Sequence, residues 1–388
     1  MKKILICFLL YGCLYANETL DMQKEFEAMK SEYYKYVEQQ KQEFKDYKDA
    51  LNDEFQRYQK ELKVYWKNPE LSSKSRWVSY SKDKHSRSVV DFESGYIQIE
   101  SIAASKQEAI KALRKQLAFS IGTSTKDVIE KDDLQKNIAK ISKKSNRPFS
   151  KADDKPILKT VFFKKEVTKK EINTYVKKQI AKATIKKEKE NNRFVYIIKV
   201  PLPKDTTLKR AKVYKTEVIR YASRYKVPVA LVFAIIQTES NFNPFAKSHI
   251  PAFGLMQIVP RSAGVDSYQF LYKQKRQPSA SYLYNSEKNI EMGSVYLYIL
   301  YFRYLKKIKN PQSRLYCTIA AYNTGAGNIA WAFTRNTNIN KAVSKINALS
   351  SDEVYTHLLK ELKYDEPKQY LKKVRKRMSA FQKVYKNI

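Results

Sequence analysis

Glu239 closes the apolar run ALVFAIIQTES and is followed by the polar stretch NFNPFAKS. A carboxylic acid buried at a helix end loses solvent, which favours its neutral form and lets it carry a proton near neutral pH. Val229, Val232, Phe233 and Ile236 recur at helical spacing, so the helix has an apolar face that can bury its last turn, and Asn243 and Pro244 stop it. Alone, such a glutamate would be read as an exposed charge or a cap. Its neighbours in the sequence suggest chemistry.

Ser248 follows on the next loop and can give or accept a hydrogen bond. In FGLMQIVP, Gly254 permits close backbone approach to a ligand, Met256 offers a soft apolar contact, and the Gln257 amide can pair with an acetamido group. In AAYNTGAGN, Tyr322 and Asn323 end a small-residue helix, and a tyrosine hydroxyl beside a carboxylic acid can fix its orientation and protonation. The glycines Gly325 and Gly327 are not followed by GK[ST], which excludes a phosphate loop. EPKQYLKKV places Tyr370 on a late helix as a further hydroxyl, and Ser240, beside the acid, suits a buttress for the helix end.

The elements that position these groups follow from the rest of the chain. Its 388 residues, 43% of them hydrophobic, are enough for two folded units, and the formal charge of +36 suits an acidic polymer, a nucleic acid or an anionic membrane. MKKILICFLLYGCLYA reads as a secretory signal, residues 1–16, with an apolar run too short to span a bilayer. Two processing readings stand open: cleavage after Ala16, or lipidation at Cys13 in the run LYGC, where Tyr11 is atypically bulky. Either places the mature chain outside the cytoplasm, which removes nucleic acid as the default partner. Cys317 reads as a buried thiol, and no disulfide framework is expected.

Residues 17–70 read as one long helix with an aromatic stripe through Phe44, Leu51, Phe55, Tyr58, Leu62 and Tyr65, expected to pack on the protein's own next domain. Residues 71–203 read as a small α+β unit with a hairpin at Ser94-Gly95, helices over 106–119, 126–142 and 169–183, and a last strand in NRFVYIIKVPL. No close acid pair, His/Cys cluster or glycine-rich loop occurs there, and His85 reads as a solvated loop residue. Residues 204–388 read as mainly α-helical with a buried central helix.

QTESNFNPFAKS, FGLMQIVP, AAYNTGAGN and EPKQYLKKV resemble the four ordered motifs of the family 1, soluble-type lytic transglycosylase (SLT) domain. RFVYIIKVPL and PSASYLYNSEKNIEMGSVYL bring the chain nearer still to a membrane-bound branch of that family, and RWVSYS to GYIQIES is similar to the accessory domain preceding the catalytic one there. The resemblance implies an α+β protein: a small mixed α/β N-terminal domain, then a mainly α-helical, lysozyme-like catalytic domain over 204–388. It implies that Glu239 is the sole acid and base, that Ser248 contacts an N-acetyl group and Gln257 the saccharide. It also implies that Tyr322 bonds to the acid, with Asn323 and Tyr370 completing the substrate site. Pro367 and Thr324 depart from the commoner pattern, which has threonine and glycine there.

The implied partner is the peptidoglycan glycan strand, cut between N-acetylmuramic acid and N-acetylglucosamine to leave a 1,6-anhydro end. The implied location is the periplasm, with an outer-membrane anchor if Cys13 is lipidated. No cofactor is implied and no metal, since His85, His249 and His357 lack ligand partners at motif spacing. Two other readings remain: a goose-type hydrolytic muramidase, for which Asp266 or Glu291 would supply a second carboxylate, and a non-catalytic wall-binding protein.

Overall fold

The α+β architecture expected from the sequence consists of one antiparallel sheet early in the chain and helices after it. The computed structural model describes residues 2–190, 192–248 and 252–386, with side chains described from residue 22 onward except at 33, 36, 37 and 40. Cys13 and Ala16 lie outside the described side chains, and His249 outside the described residues. Helix α1 covers Lys2–Lys63, as the absence of proline and glycine between residues 17 and 63 favours. Residues 1–53 and 54–388 form two compact units. Among the described residues no helix is long and apolar enough to cross a membrane.

Within the larger unit, strands β1 (Arg76–Tyr80), β2 (Ser86–Asp91), β3 (Tyr96–Ile102), β4 (Lys186–Glu190) and β5 (Arg193–Pro201) pair antiparallel in the order β1-β2-β3-β5-β4. The turn between β2 and β3 is closed by Asp91, whose carboxylate accepts from the N–H groups of Glu93 and Ser94, while Gly95 takes the positive φ of 74°. Strand β4, KKEKE, carries no strand signal. It joins the sheet through backbone pairing with β5 alone, and its charges suit an edge.

Helix α2 (Lys106–Gly122) covers one sheet face with the buried Leu113, Leu117 and Ile121, and Ser120 Oγ donates to Ser88 Oγ at 2.8 Å. The helix expected over 126–142 is two, α3 (Thr125–Lys131) and α4 (Asp133–Lys144). Asp132 breaks the run because its side chain caps the second helix, accepting from Gln135 N–H. Helices α5 (Lys159–Phe162) and α6 (Lys169–Lys182) follow. The other sheet face receives Tyr58 of the aromatic stripe and Trp66 just beyond α1: both meet Tyr80 edge-on, and Trp66 Nε1 donates to Lys84 O at 2.8 Å. His85 is exposed, with its ring against Tyr65.

The helical array comprises α7 (Thr206–Val213), α8 (Lys215–Arg224), α9 (Val229–Ser240), α10 (Val265–Tyr272), α11 (Ala280–Tyr284) and α12 (Ser286–Ile299), then α13 (Pro311–Thr324), α14 (Ala326–Thr334), α15 (Ile339–Asn347), α16 (Ser351–Glu361) and α17 (Asp365–Val384). Helix α9 is its centre, buried almost all round, as an apolar sequence without a polar face requires. Phe233 of α9 stacks on Phe381 at 5.2 Å and on Tyr385 at 4.7 Å, which fixes α9 against α17. Cys317 is a free, buried thiol whose pKa burial pushes up to about 12, so it is chemically quiet.

Sheet and array are joined at the exit of α9. Arg210 is buried, donates to Ile157 O at 3.2 Å and to Phe242 O, and lies over the Phe92 ring at 3.5 Å. Loss of solvent lowers its pKa to about 10, since no carboxylate pairs with it among the described contacts. Asn243 Nδ2 donates to Ser73 O and Arg76 O, at 3.1 and 3.2 Å.

Candidate active site

Helix α9 ends not at Asn243 and Pro244 but two residues earlier, where Asn241 and Phe242 adopt positive φ of 48° and 61°. Left-handed backbone at an asparagine is tolerable; at a phenylalanine it costs energy that the surroundings must supply. Arg210 and Asn243 supply those fixed contacts. Glu239 therefore sits on the last turn of a helix anchored at its exit, and is only 6% exposed.

Burial raises the Glu239 pKa, and the negative Glu366 adds to the rise, while Lys74 and Tyr370 oppose it. Lys74 Nζ lies 3.0 Å from Glu239 Oε2. The Tyr370 hydroxyl, on α17, is buried and near enough to favour the charged form of Glu239, yet makes no hydrogen bond of normal geometry. The net direction is upward, so the site raises the proton affinity of this carboxyl, as an acid role demands.

Tyr322, on α13, is half-buried, and its charge coupling to Glu239 places it at the same centre. Its hydroxyl, however, donates to Met256 O at 2.9 Å. The hydroxyl directed at the carboxyl is that of Tyr370 instead. Asn323 Nδ2 donates to Glu366 Oε1 at 3.3 Å, joining the AAYN and EPKQY segments at the exposed edge. Ser240 Oγ donates to Ile236 O at 3.0 Å and to Leu255 O at 2.8 Å, which ties the end of α9 to the FGLMQ loop. Ser248 is held to Ala252 through its backbone N–H and its Oγ, on the loop that leads into FGLMQ.

The FGLMQ loop is built inward. Gly254, at φ 76°, is required because a Cβ there would lie 2.3 Å from Leu283 O and 2.5 Å from Asn289 Nδ2, so its close approach is to the protein's own backbone and amide. The Met256 side chain is fully buried and a Cβ on Gly293 would lie 2.2 Å from its sulfur, so it anchors the loop, and its carbonyl serves Tyr322. Gln257, at φ 49°, donates through Nε2 to Ala246 O and Gly254 O, both at 3.0 Å. Those two carbonyls assign the amide orientation and leave Oε1 buried without a hydrogen-bond partner.

Four residues not singled out in the sequence complete the site. Lys74 precedes β1 and Glu366 belongs to the segment singled out for Tyr370. Arg210 fixes Phe242. Asn289, on α12 and fully buried, accepts from Met256 N–H at 2.7 Å and donates to Phe253 O and Leu283 O, both at 2.8 Å. Of the two carboxylates considered for a hydrolytic site, Asp266 accepts from Tyr304 at 3.1 Å, and Glu291 pairs with Lys288 and Arg224 at 3.5 and 3.8 Å. Neither is among the leading influences on the Glu239 carboxyl.

The site is thus one raised-affinity carboxyl, a buried and a half-buried tyrosine and a buried amide oxygen without a partner, gathered from four sequence motifs onto α9, α13, α17 and one loop. Residues 217–344 match the family described as Transglycosylase SLT domain, and residues 40–213 that described as Membrane-bound lytic murein transglycosylase C, N-terminal domain. Membrane-bound lytic murein transglycosylase C of Sodalis glossinidius is 32% identical over 308 residues, covering 77% of this chain and 80% of that one. Its counterpart in Haemophilus ducreyi is 32% identical over 316 residues, covering 80% and 81%. The 70 kDa soluble lytic transglycosylase of Escherichia coli shares 24% identity at a TM-score of 0.35, and the match covers 46% of this chain and 26% of that one. With that identity over four-fifths of its relatives, the chain belongs to the family of membrane-bound lytic murein transglycosylase C.

Proposed function

We propose that the chain is a lytic murein transglycosylase, with residues 71–203 as accessory domain, 204–388 as catalytic domain and Glu239 as its one acid and base. Protonated Glu239 gives its proton to the glycosidic oxygen, and the C1–O bond breaks. The substrate's own acetamido oxygen stabilises the positive charge at C1. The Glu239 carboxylate then takes the proton of the muramoyl C6 hydroxyl, whose oxygen bonds to C1 and closes the 1,6-anhydro ring. The acid is restored and no water is consumed. Two-carboxylate hydrolysis needs a second acid placed to activate water or attack the sugar. The observation that carries this reading is the buried, raised-affinity Glu239 with both tyrosines around it.

Gln257 Oε1 is the acceptor for a substrate amide or hydroxyl, Ser248 and Asn323 extend the binding surface, and Tyr370 orients the acid. The net charge of +36 favours residence on a wall polymer bearing carboxylates, in a salt-dependent way. The cell envelope is the place of work: the periplasm, with an outer-membrane anchor at Cys13 if that residue is lipidated. Mass analysis of digested murein tests the reaction. Anhydro-muramoyl ends, one water lighter than reducing ends, are expected from the native protein and none from Glu239→Gln; reducing ends alone would contradict it.

A further inference from the structure

The acid is met by a lysine from outside the helical array. Lys74 stands on the segment before β1, held from both sides. Asn243 donates to Ser73 O and Arg76 O, Ser73 N–H donates to Arg76 O at 2.9 Å, and Phe92 N–H donates to Ser75 O at 3.0 Å. This frame presents Lys74 Nζ to Glu239 Oε2 at 3.0 Å while leaving the lysine side chain 43% exposed. The backbone is fixed; the four-carbon stem and its ammonium are free to reach elsewhere.

That contact conflicts with the proposed first step. A cation at 3.0 Å favours the carboxylate, whereas proton donation needs the neutral acid. The pair must therefore open when substrate is bound. The other described groups acting on Glu239 do not replace it: Tyr370 is neutral, Tyr322 is committed to Met256 O, and Glu366 has the charge of the acid itself. A carboxylate on the substrate is the group that can take the ammonium without leaving it unpaired.

We propose that Lys74 is a substrate-sensing positioning residue, paired with Glu239 in the empty site and transferred to a carboxylate of the muramoyl-peptide polymer on binding. The accessory segment thereby lowers the acid's proton affinity until an anionic strand arrives, and strands without a carboxylate are poor substrates. This rests on Glu239 being the acid. The carboxylate is either the muramoyl lactyl group, free on peptide-stripped strands, or a peptide carboxylate on intact strands.

The test compares the native protein, Lys74→Met and Lys74→Arg on soluble peptide-stripped and intact strands, each also as methyl esters, with rates followed across pH. The native protein should prefer the free acid of one strand type over its ester by about fivefold, the upper range for a half-exposed ion pair. Lys74→Met should lose that preference and Lys74→Arg keep it. The strand type showing the preference identifies the carboxylate. The alkaline limb of kcat/KM, which reports the free protein, should move up in Lys74→Met, while the limb of kcat on the preferred acid strand stays in place. An unchanged kcat/KM limb, an ester preference that persists in Lys74→Met, or a kcat limb that moves equally would overturn the proposal. Residual activity in Glu239→Gln would instead overturn the acid assignment on which it rests.

Discussion

Replacing Asn289 by alanine should loosen the FGLMQ loop without altering the loop itself. One amide makes three bonds there, all to backbone and all fully buried. Without it Met256 N–H loses its acceptor, a cost of about 1–3 kcal/mol for an orphaned buried donor. Phe253 O keeps a partner, since it also accepts from Ile258 N–H at 3.2 Å, so its loss is small. Leu283 O loses a donor, and the missing amide leaves a small void beside Gly254. Together these give roughly 3 kcal/mol. Met256 O holds the Tyr322 hydroxyl and Gly254 O holds the Gln257 amide, so a shifted loop should lower kcat/KM for murein by about tenfold or more. Urea unfolding with an unchanged slope, paired with a murein-clearing assay, measures both effects. Asn289→Asp keeps the acceptor for Met256 N–H but not the two donations, and should fall between. A loss under about 1 kcal/mol with activity within about twofold of native would refute the reasoning.

Glu239→Gln should stabilise the fold at neutral pH. The folded pKa of Glu239 is raised, so its favourable contribution is present below the unfolded value and lost as pH rises through the folded one. Glutamine mimics the neutral acid at every pH. Calorimetry should show a higher Tm for the variant near pH 7 and no difference near pH 4; a lower Tm at pH 7 would contradict the burial argument. Glu366→Gln removes a like charge that raises the Glu239 pKa, so the alkaline limb of kcat/KM should move down, less so at high salt because Glu366 is exposed. A limb that stays fixed at low salt would remove Glu366 from the site.

Much of this site was legible because its signal is local. The apolar period of α9 put Glu239 on a buried turn, and Ser240 was readable as a buttress because it is the next residue on the same helix end. Gly254 and Met256 were legible as special but not for the right reason. Periodicity says that a glycine permits close approach, whereas only the packed structure says that Asn289 and Leu283 make the approach. Lys74 and Arg210 were illegible. Each is one cation among 75, and its contact bridges segments far apart in sequence. Strand β4 was hidden for a related reason, since an edge strand of alternating charge is specified by its partner β5 and not by its own composition.

The central claim is that one carboxyl both gives and takes a proton with no water entering the reaction. Digestion of murein in water enriched in heavy oxygen, followed by mass spectrometry of the released muramoyl ends, tests this most directly. The native protein should give anhydro ends carrying no heavy oxygen, and Glu239→Gln should give none. Reducing ends with one heavy oxygen each would show that water attacks C1 and would contradict the account.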